Sequence, residues 1–231
     1  MSIKQAMILA AGEGSRMRPL TLTTPKPLLE VGGKPLIVWH IEKLINAGVE
    51  RIVINARYLS EKLTEYFAVR DFGVDIYLSL ENEFETPIET AGGIKVALDR
   101  GLLEDKPFIL VNGDVWTDFD FACLADVALG ERLGHLYLVD NPSHNPNGDF
   151  GLLDDGMIGA LGEPLTFAGL SVLSPNLVSD TPIGTKAPLA PVLREAILQG
   201  RLSGEKLLGG WVDVGTPERL GELNASLKIT P

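Results

Sequence analysis

The chain has 231 residues, 45% of them apolar, and a formal net charge of −11. This is enough apolar material for one large domain with a buried core, and the acidic balance argues against binding to nucleic acid or to an anionic membrane surface. The single cysteine, Cys123, excludes an intrachain disulfide or a thiolate metal cluster, and we expect it to be a small buried residue.

The apolar segments give no sign of a membrane location. None approaches the roughly 20 residues of a membrane span. The run AMILAA at 6–11 is also too short for the apolar core of a signal peptide. These observations predict a cytoplasmic protein.

Strand-like and helix-like segments alternate along the first 140 residues. Runs rich in branched or aromatic residues predict strands at 6–10, 51–56, 74–80, 107–114 and 135–139. Helices are predicted between them at 35–48, 60–67, 90–98 and 121–129. This alternation predicts a Rossmann-like α/β fold with a mixed, mostly parallel sheet and helices on both faces.

The pattern changes after Asn141. The pair Asp155-Gly156 predicts a hairpin turn, and further segments predict a strand at 166–173, a helix at 190–200 and a strand at 209–215. Thr216 is the expected N-cap of a last helix, with Pro217 at its first position. No repeat or long linker divides the chain, so a single domain is expected.

The loop after the first predicted strand concentrates positive charge and glycine. Residues 1–35 carry five basic and two acidic side chains, a net charge of +3 in an acidic protein. Ligands of open α/β sheets bind beyond the carboxyl ends of the strands, and Gly12 and Gly14 would let backbone N–H groups approach an anion closely. The loop therefore predicts a site for a chain of phosphates.

Two familiar phosphate-binding motifs do not fit this loop. Met17 occupies the third glycine position of a dinucleotide motif, and Pro35 follows the GGK sequence where a Walker A loop has Ser or Thr. What remains is a glycine loop followed by Arg16, with Lys26 ten residues later between two prolines.

Longer segments identify a family. LAAGEGSRMRPLT and PKPLLEVGGKPLI resemble the signature of the sugar-nucleotide pyrophosphorylases, nucleotidyltransferases that join an NTP to a sugar 1-phosphate. The resemblance covers nearly the whole chain, through IETAGGI, VNGDVWTD, VDNPSHNPNGDFGLL, TFAGLSVL and GGWVDVGTPERL. It implies the nucleotidyltransferase fold in a single domain at 1–231, with a nucleotide-binding half at 1–130, a sugar-phosphate-binding half at 131–231 and no C-terminal β-helix.

The reaction of such enzymes requires alignment and neutralisation of charge, because a sugar phosphate oxygen is already anionic near neutral pH. Arg16 is expected to span phosphate oxygens and Lys26 to place its charge near the α-phosphate. Asp114 ends the strand FILVNGD and Asp213 lies in WVDVG, so both carboxylates would reach the ligand edge of the sheet. With substrate phosphates and waters they suit Mg²⁺, the expected cofactor.

The resemblance also implies residues that contact the two substrates. Those expected at the nucleotide are Ala11, Gly12, Gly14, Glu81, Gly92 and Gly113. Those expected at the sugar are Asn112, Gly151 and Glu163. Lys186 is a candidate for the cation that faces the sugar phosphate, since Pro164 follows Glu163 where many relatives have lysine.

The identity of the base stays open. Glu89 stands where many relatives have glycine, and a carboxylate such as that of Glu81 suits either the N3–H of uracil or the adjacent donors of guanine. His40, His135 and His144 lack metal-ligand spacing and are expected to be core or surface residues.

Three functions are therefore considered. The group that the chain most resembles transfers uridylyl groups from UTP to N-acetylmuramate α-1-phosphate in bacterial cell-wall recycling. The alternatives are guanylyl or thymidylyl transfer to a hexose 1-phosphate, such as mannose or glucose 1-phosphate, and a catalytically silent nucleotide-sugar sensor. The joint presence of Arg16, Lys26, Asp114 and Asp213 favours an enzyme, and the oligomeric state stays open.

Overall fold

The structure, a computed structural model, describes residues 2–229. Its strands are β1 (Gln5–Leu9), β2 (Glu30–Val31), β3 (Lys34–Pro35), β4 (Arg51–Ala56), β5 (Asp75–Leu80), β6 (Phe108–Asn112), β7 (Val115–Thr117), β8 (Gly134–Val139), β9 (Phe150–Leu152), β10 (Glu163–Leu173), β11 (Leu202–Lys206) and β12 (Trp211–Asp213). Its α-helices are α1 (Leu36–Asn46), α2 (Ser60–Ala68), α3 (Glu89–Asp99), α4 (Ala122–Ala125), α5 (Leu189–Leu198) and α6 (Pro217–Ile229). In this range no helix combines the length and the apolar character needed to cross a bilayer.

One sheet contains strands from both halves of the chain. Its order is β11-β8-β10-β6-β1-β4-β5, and β9 pairs with β10. The pairs of β1 with β4 and β6, of β4 with β5, and of β8 with β11 are parallel. Only the pairs made by β10 run antiparallel within this sheet. The mixed, mostly parallel α/β sheet predicted from the sequence is confirmed.

Helices cover both faces of the sheet because its central strands are apolar on both sides. In β1, Ala6 and Ile8 belong to one hydrophobic cluster and Met7 to the other. The first cluster includes residues of α1, α2 and α4, and the second includes residues of α3 and α5. Burial on both faces explains why β1 reads as a continuous apolar run rather than an alternating one.

The helix α6 packs against the N-terminal loop. Its Leu220 and Leu223 share a third cluster with Met17, Val31 and Leu36. As predicted, Thr216 caps this helix, since its Oγ1 accepts a hydrogen bond of 3.3 Å from the backbone N–H of Arg219.

A second contact between α6 and the N-terminal loop is polar. The side-chain oxygen of Asn224 accepts a hydrogen bond of 2.7 Å from the N–H of Gly32, and its amide donates to the carbonyl of Glu30 at 3.2 Å. The last helix therefore fixes the conformation of the loop that follows β1.

The strand β11 and the helix around Cys123 differ from what the sequence predicted. The strand β11 was not predicted, because LSGEK has no apolar alternation, and it forms by parallel pairing with β8 at the sheet edge. Cys123 is exposed rather than buried. It lies in α4, which is much shorter than expected and buries Leu124 and Ala125 instead.

Candidate active site

A cavity of about 440 Å³ opens at the carboxyl ends of β1, β4 and β6, where open α/β sheets bind ligands. The glycine loop after β1, the start of α3 and the residues after β12 complete its wall. Residues that the sequence assigned to the site and that line this cavity are Ala11, Gly12, Gly14, Arg16, Lys26, Glu81, Asn112, Gly113 and Asp114.

Four other assigned residues, Gly92, Gly151, Glu163 and Asp213, do not line the cavity. A Cβ on Gly92 would lie 2.7 Å from the carbonyl oxygen of Thr185, so this glycine allows α3 to pack closely. Gly151 likewise faces a backbone carbonyl, that of Gly159. The roles assigned to these four residues remain predictions.

Two further lysines, one of them the predicted partner of the sugar phosphate, lie away from this cavity. The carboxylate of Glu163 is 3.2 Å from Nζ of Lys206, which also lies 3.0 Å from Asp140. Lys186, the candidate for the phosphate, is mostly exposed and lies 3.6 Å from Glu89. Neither lysine lines the cavity.

A buried hydrogen-bond chain forms the end of the cavity near α3. The N–H of Ala10 donates to Oδ1 of Asn55 at 2.7 Å, and Nδ2 of Asn55 donates to Oε1 of Glu81 at 2.8 Å. Glu81 is only 2% exposed, and this burial raises the pKa of its carboxyl. The hydrogen bond from Asn55 lowers the pKa and so partly opposes the effect of burial. Asn55 was missed by the sequence analysis, although its place near the carboxyl end of β4 was a signal.

Arg57 supports the same end of the cavity. Its guanidinium donates to the carbonyl oxygens of Glu81 at 2.9 Å, Phe84 at 2.7 Å and Glu85 at 3.1 Å. Three such bonds order the 81–85 turn, and with it the backbone of Glu81. No sequence pattern assigned Arg57 to this task.

Lys26 and Asp114 meet at the opposite end of the cavity. The Nζ atom of Lys26 lies 2.8 Å from Oδ2 of Asp114. Lys26 is 8% exposed and belongs to a short 3-10 helix at Lys26–Leu28. An ammonium this well buried needs an anionic partner, which Asp114 supplies in this structure.

Arg16 is presented by a tight turn of the glycine loop. Gly14 has a φ of 60°, and a Cβ there would lie 3.0 Å from Cγ2 of Thr21. The hydroxyl of Thr21 donates to the carbonyl of Gly14 at 2.8 Å. The 3-10 helix Ser15–Met17 that carries Arg16 begins directly after this turn.

A two-stranded ribbon brings the second aspartate next to the first. β12 pairs antiparallel with β7, which places Asp213 opposite Val115. The N–H of Val214 donates to the carbonyl of Asp114 at 2.9 Å. Two carboxylates nearly one hundred residues apart in sequence therefore start from adjacent backbone positions.

Two further side chains contact Asp213, and the sequence analysis missed both. Nη1 of Arg219 donates to Oδ2 of Asp213 at 2.7 Å, and Nε2 of His144 lies 3.3 Å from the same oxygen. His144 is at the surface, as expected, but it touches the proposed metal site. The only sequence signal for Arg219 was its place inside the GGWVDVGTPERL segment.

His40 is a core histidine, as predicted. Its ring stacks on Phe121 with centroids 6.2 Å apart and planes inclined by 11°. Burial lowers the pKa of His40 to about 4, so its ring is neutral at pH 7.

Comparisons with known proteins identify the family of the chain. A family profile described as nucleotidyl transferase matches residues 5–160. The chain is 49% identical to an N-acetylmuramate alpha-1-phosphate uridylyltransferase of Neisseria meningitidis serogroup B, over 96% of this chain and 97% of that protein. It is 35% identical to a mannose-1-phosphate guanyltransferase of Saccharomyces cerevisiae, over 93% of this chain and 62% of that protein.

Solved structures share the fold. A putative glucose-1-phosphate thymidylyltransferase from Bacillus anthracis superposes with a TM-score of 0.81, over 100% of this chain and 97% of that one. Its sequence identity is only 19%, so this likeness concerns the fold alone.

Proposed function

The chain belongs to the nucleotidyl transferase family, as a sugar-nucleotide pyrophosphorylase, and we propose that it transfers the uridylyl group of UTP to N-acetylmuramate α-1-phosphate. The products are UDP-N-acetylmuramate and pyrophosphate. The observation that carries this proposal is the cavity in which Arg16, Lys26 and Asp114 converge, in a chain 49% identical over its near-full length to a uridylyltransferase of that name.

The reaction is a displacement at phosphorus. An oxygen of the acceptor phosphate forms a bond to the α-phosphorus of UTP, and the bond from that phosphorus to the bridging oxygen breaks. Pyrophosphate departs with the electron pair. Because the acceptor phosphate already carries negative charge near pH 7, the enzyme has to align the reactants and neutralise charge rather than remove a proton.

Two cations of the glycine loop suit this task. The planar guanidinium of Arg16 presents several N–H donors to the phosphates. The ammonium of Lys26 is a compact charge held in place by Asp114 at 2.8 Å. A cation fixed before the substrate arrives needs little reorganisation as charge develops on the leaving pyrophosphate.

Mg²⁺ is part of the proposal, and the chemistry of the donors fits it. Oδ2 of Asp114 and Oδ2 of Asp213 are engaged by basic side chains, whereas in the described part of the chain Oδ1 of each makes no hydrogen bond. Oxygen ligands from two carboxylates, completed by phosphates and water, are typical of Mg²⁺. When bound there, the ion would add positive charge beside the reacting phosphates.

The base is expected at the end of the cavity formed by Asn55 and Glu81. Oε1 of Glu81 accepts the hydrogen bond from Asn55, which leaves Oε2 as an acceptor for the N3–H of uracil. Glu89 also lines the cavity, and its backbone has a φ of 61°, a conformation that suits the glycine found there in many relatives. A UTP-dependent step of peptidoglycan recycling would take place in the cytoplasm.

A matrix of substrates tests the proposal. UTP, GTP, CTP and dTTP are each combined with the 1-phosphates of N-acetylmuramate, N-acetylglucosamine, glucose and mannose, and kcat/KM is measured by pyrophosphate release with Mg²⁺. We expect UTP with N-acetylmuramate 1-phosphate to exceed every other pair by more than about tenfold, or about 1.4 kcal/mol in transition-state binding.

Other outcomes of the matrix replace the proposal. A preference for GTP with mannose 1-phosphate would indicate guanylyl transfer, the second candidate function. The 35% identity to a mannose-1-phosphate guanyltransferase is the reason to include this pair. If no pair releases pyrophosphate above the background of the Asp114→Asn variant, the protein is a nucleotide-sugar sensor rather than an enzyme.

A further inference from the structure

Two segments distant in sequence meet at Asp213. His144 lies in the loop between β8 and β9, and Arg219 lies in the first turn of α6. Nη1 of Arg219 is 2.7 Å from Oδ2 of Asp213 and 3.2 Å from Nε2 of His144. The loop that carries His144 is itself fixed, because Asn145 donates a hydrogen bond of 3.1 Å to the hydroxyl of Thr166 in β10.

The guanidinium of Arg219 has a second edge. A Cβ on Gly215 would lie 2.7 Å from Nη2 of Arg219 and 3.1 Å from each carboxylate oxygen of Asp213. Gly215 lines the cavity, so Nη2 lies directly behind the cavity wall at a position without a side chain. Within residues 2–229 the Nη2 and Nε atoms of Arg219 donate to no acceptor.

Unused donors on a largely buried guanidinium are informative. The side chain of Arg219 is only 20% exposed, yet neither Nη2 nor Nε is among the fully enclosed atoms of the described residues without a partner, so both donors are accessible to a ligand. The pair formed with Asp213 fixes one edge of the guanidinium fork, and the other edge has the planar geometry that binds a carboxylate or phosphate with two hydrogen bonds.

Arg16 also lines the cavity, where the proposed function assigns it to the phosphates of UTP, and the other cations nearby are already engaged. Lys26 is paired with Asp114, and Arg57 is occupied by three carbonyl oxygens. Lys206 is bound between two carboxylates outside the cavity, and Lys186 is near Glu89. The acceptor carries a phosphate, and an N-acetylmuramate carries a carboxylate as well. The cations that are already paired cannot neutralise this additional negative charge.

We propose that the free edge of Arg219, which lies beside His144, binds an oxyanion of the acceptor. The inference rests on the proposed function in one respect, namely that the acceptor is a sugar 1-phosphate. The oxyanion is either the phosphate of the acceptor or the lactyl carboxylate of an N-acetylmuramate. Gly215 keeps the approach to Arg219 open, and the contact with Asp213 places the bound oxyanion next to the reacting phosphates.

The test measures binding without metal, so that any role of Asp213 toward Mg²⁺ does not enter. Dissociation constants for UDP-N-acetylmuramate, UDP-N-acetylglucosamine and UTP are measured by calorimetry in EDTA. The variants are Arg219→Gln, Arg219→Lys and the control Arg201→Gln. The control substitution removes the same charge at the opposite edge of the sheet, where the guanidinium of Arg201 donates to the carbonyl of Glu131.

Arg219→Gln is expected to weaken binding of UDP-N-acetylmuramate at least tenfold and binding of UTP, which lacks the acceptor, less than twofold. Arg219→Lys should restore part of the loss, because it keeps the charge but not the fork. If the oxyanion is the lactyl carboxylate, only UDP-N-acetylmuramate is affected. If it is the acceptor phosphate, both sugar nucleotides weaken alike.

Two results would overturn the inference. Equal weakening of all three ligands would make Arg219 a residue of the general fold or of the nucleotide site, and unchanged binding of all three would remove it from the site. Circular dichroism melting of each variant identifies a loss of folding. Turnover by the wild-type protein tests the proposed function separately. If the wild-type protein forms a different sugar nucleotide, that product replaces UDP-N-acetylmuramate in the binding measurements.

Discussion

Lys26 and Asp114 form an ion pair of 2.8 Å between Nζ and Oδ2, although they come from different loops 88 residues apart. Lys26 is almost completely buried, whereas the side chain of Asp114 is 39% exposed. The carboxylate therefore faces the cavity while its charge orders the lysine behind it. One residue thus serves both the metal that we propose and the cation beside the α-phosphate.

The first prediction concerns the two aspartates. Asp114→Asn and Asp213→Asn should each lower kcat by about 1,000-fold or more at saturating Mg²⁺, because each removes a charged ligand beside the reacting phosphates. Pyrophosphate release measures the rate, and circular dichroism checks that the fold persists. The exposed Asp126→Asn is the control. Rates close to those of the wild-type protein would exclude the assignment of the metal site.

A second prediction separates the two arginines of the glycine loop. Arg16→Ala should lower kcat about 100- to 1,000-fold, because Arg16 stabilises charge that develops on the leaving pyrophosphate. Arg18→Ala serves as the control, since Arg18 is half-exposed, lies 3.6 Å from Glu13 and does not line the cavity. If Arg16→Ala changes KM alone, the residue binds the ground state and is not part of catalysis.

The third prediction uses a glycine of α3 to disturb the base end of the cavity. A Cβ on Gly93 would lie 2.7 Å from Oε1 of Glu81 and 3.2 Å from Nδ2 of Asn55. Gly93→Ala should therefore displace Glu81 and raise KM for UTP at least tenfold. Gly221→Ala in α6, where no atom lies within 4 Å of the new Cβ, should leave kinetics unchanged. An unaltered KM in Gly93→Ala would place the base elsewhere.

The fourth prediction concerns stability at low pH. His40 titrates near 6.5 when unfolded and at about 4 when folded, so the unfolded chain binds the additional proton between these values. Stability then falls as pH decreases from 6.5 toward 4. Between pH 7 and pH 5 the wild-type protein should lose about 2 kcal/mol more of its unfolding free energy than His40→Leu. Urea unfolding at both pH values measures this difference, and parallel losses in the two proteins would contradict it.

The sequence predicted what is encoded locally. The glycine loop, Arg16, Lys26 and Asp114 each follow a strand or turn with a clear signature, and strand polarity brings them to one sheet edge. Asn55 and Arg57 could be assigned to the site only with knowledge of which strand lies beside β1.

Arg219 and His144 could not be predicted in the same way. His144 reaches Asp213 only because the loop after β8 converges with the first turn of α6 in three dimensions. Arg219, six residues after Asp213 in sequence, contacts it because the chain turns into α6 between them. No spacing in the sequence reports such a convergence. The positive φ of Glu89 was equally hard to predict. Its only indication was that many relatives have glycine at this position.

The packing of α6 on the N-terminal loop has a consequence for synthesis of the protein. Met17, Val31 and Gly32 are synthesised long before Leu220, Leu223 and Asn224, which pack against them, since 192 residues separate Gly32 from Asn224. Asp213 and Gly215 also arrive late. A nascent chain that has completed most of the central sheet therefore exposes the apolar side of its glycine loop until α6 has been synthesised, and in that interval this surface favours aggregation.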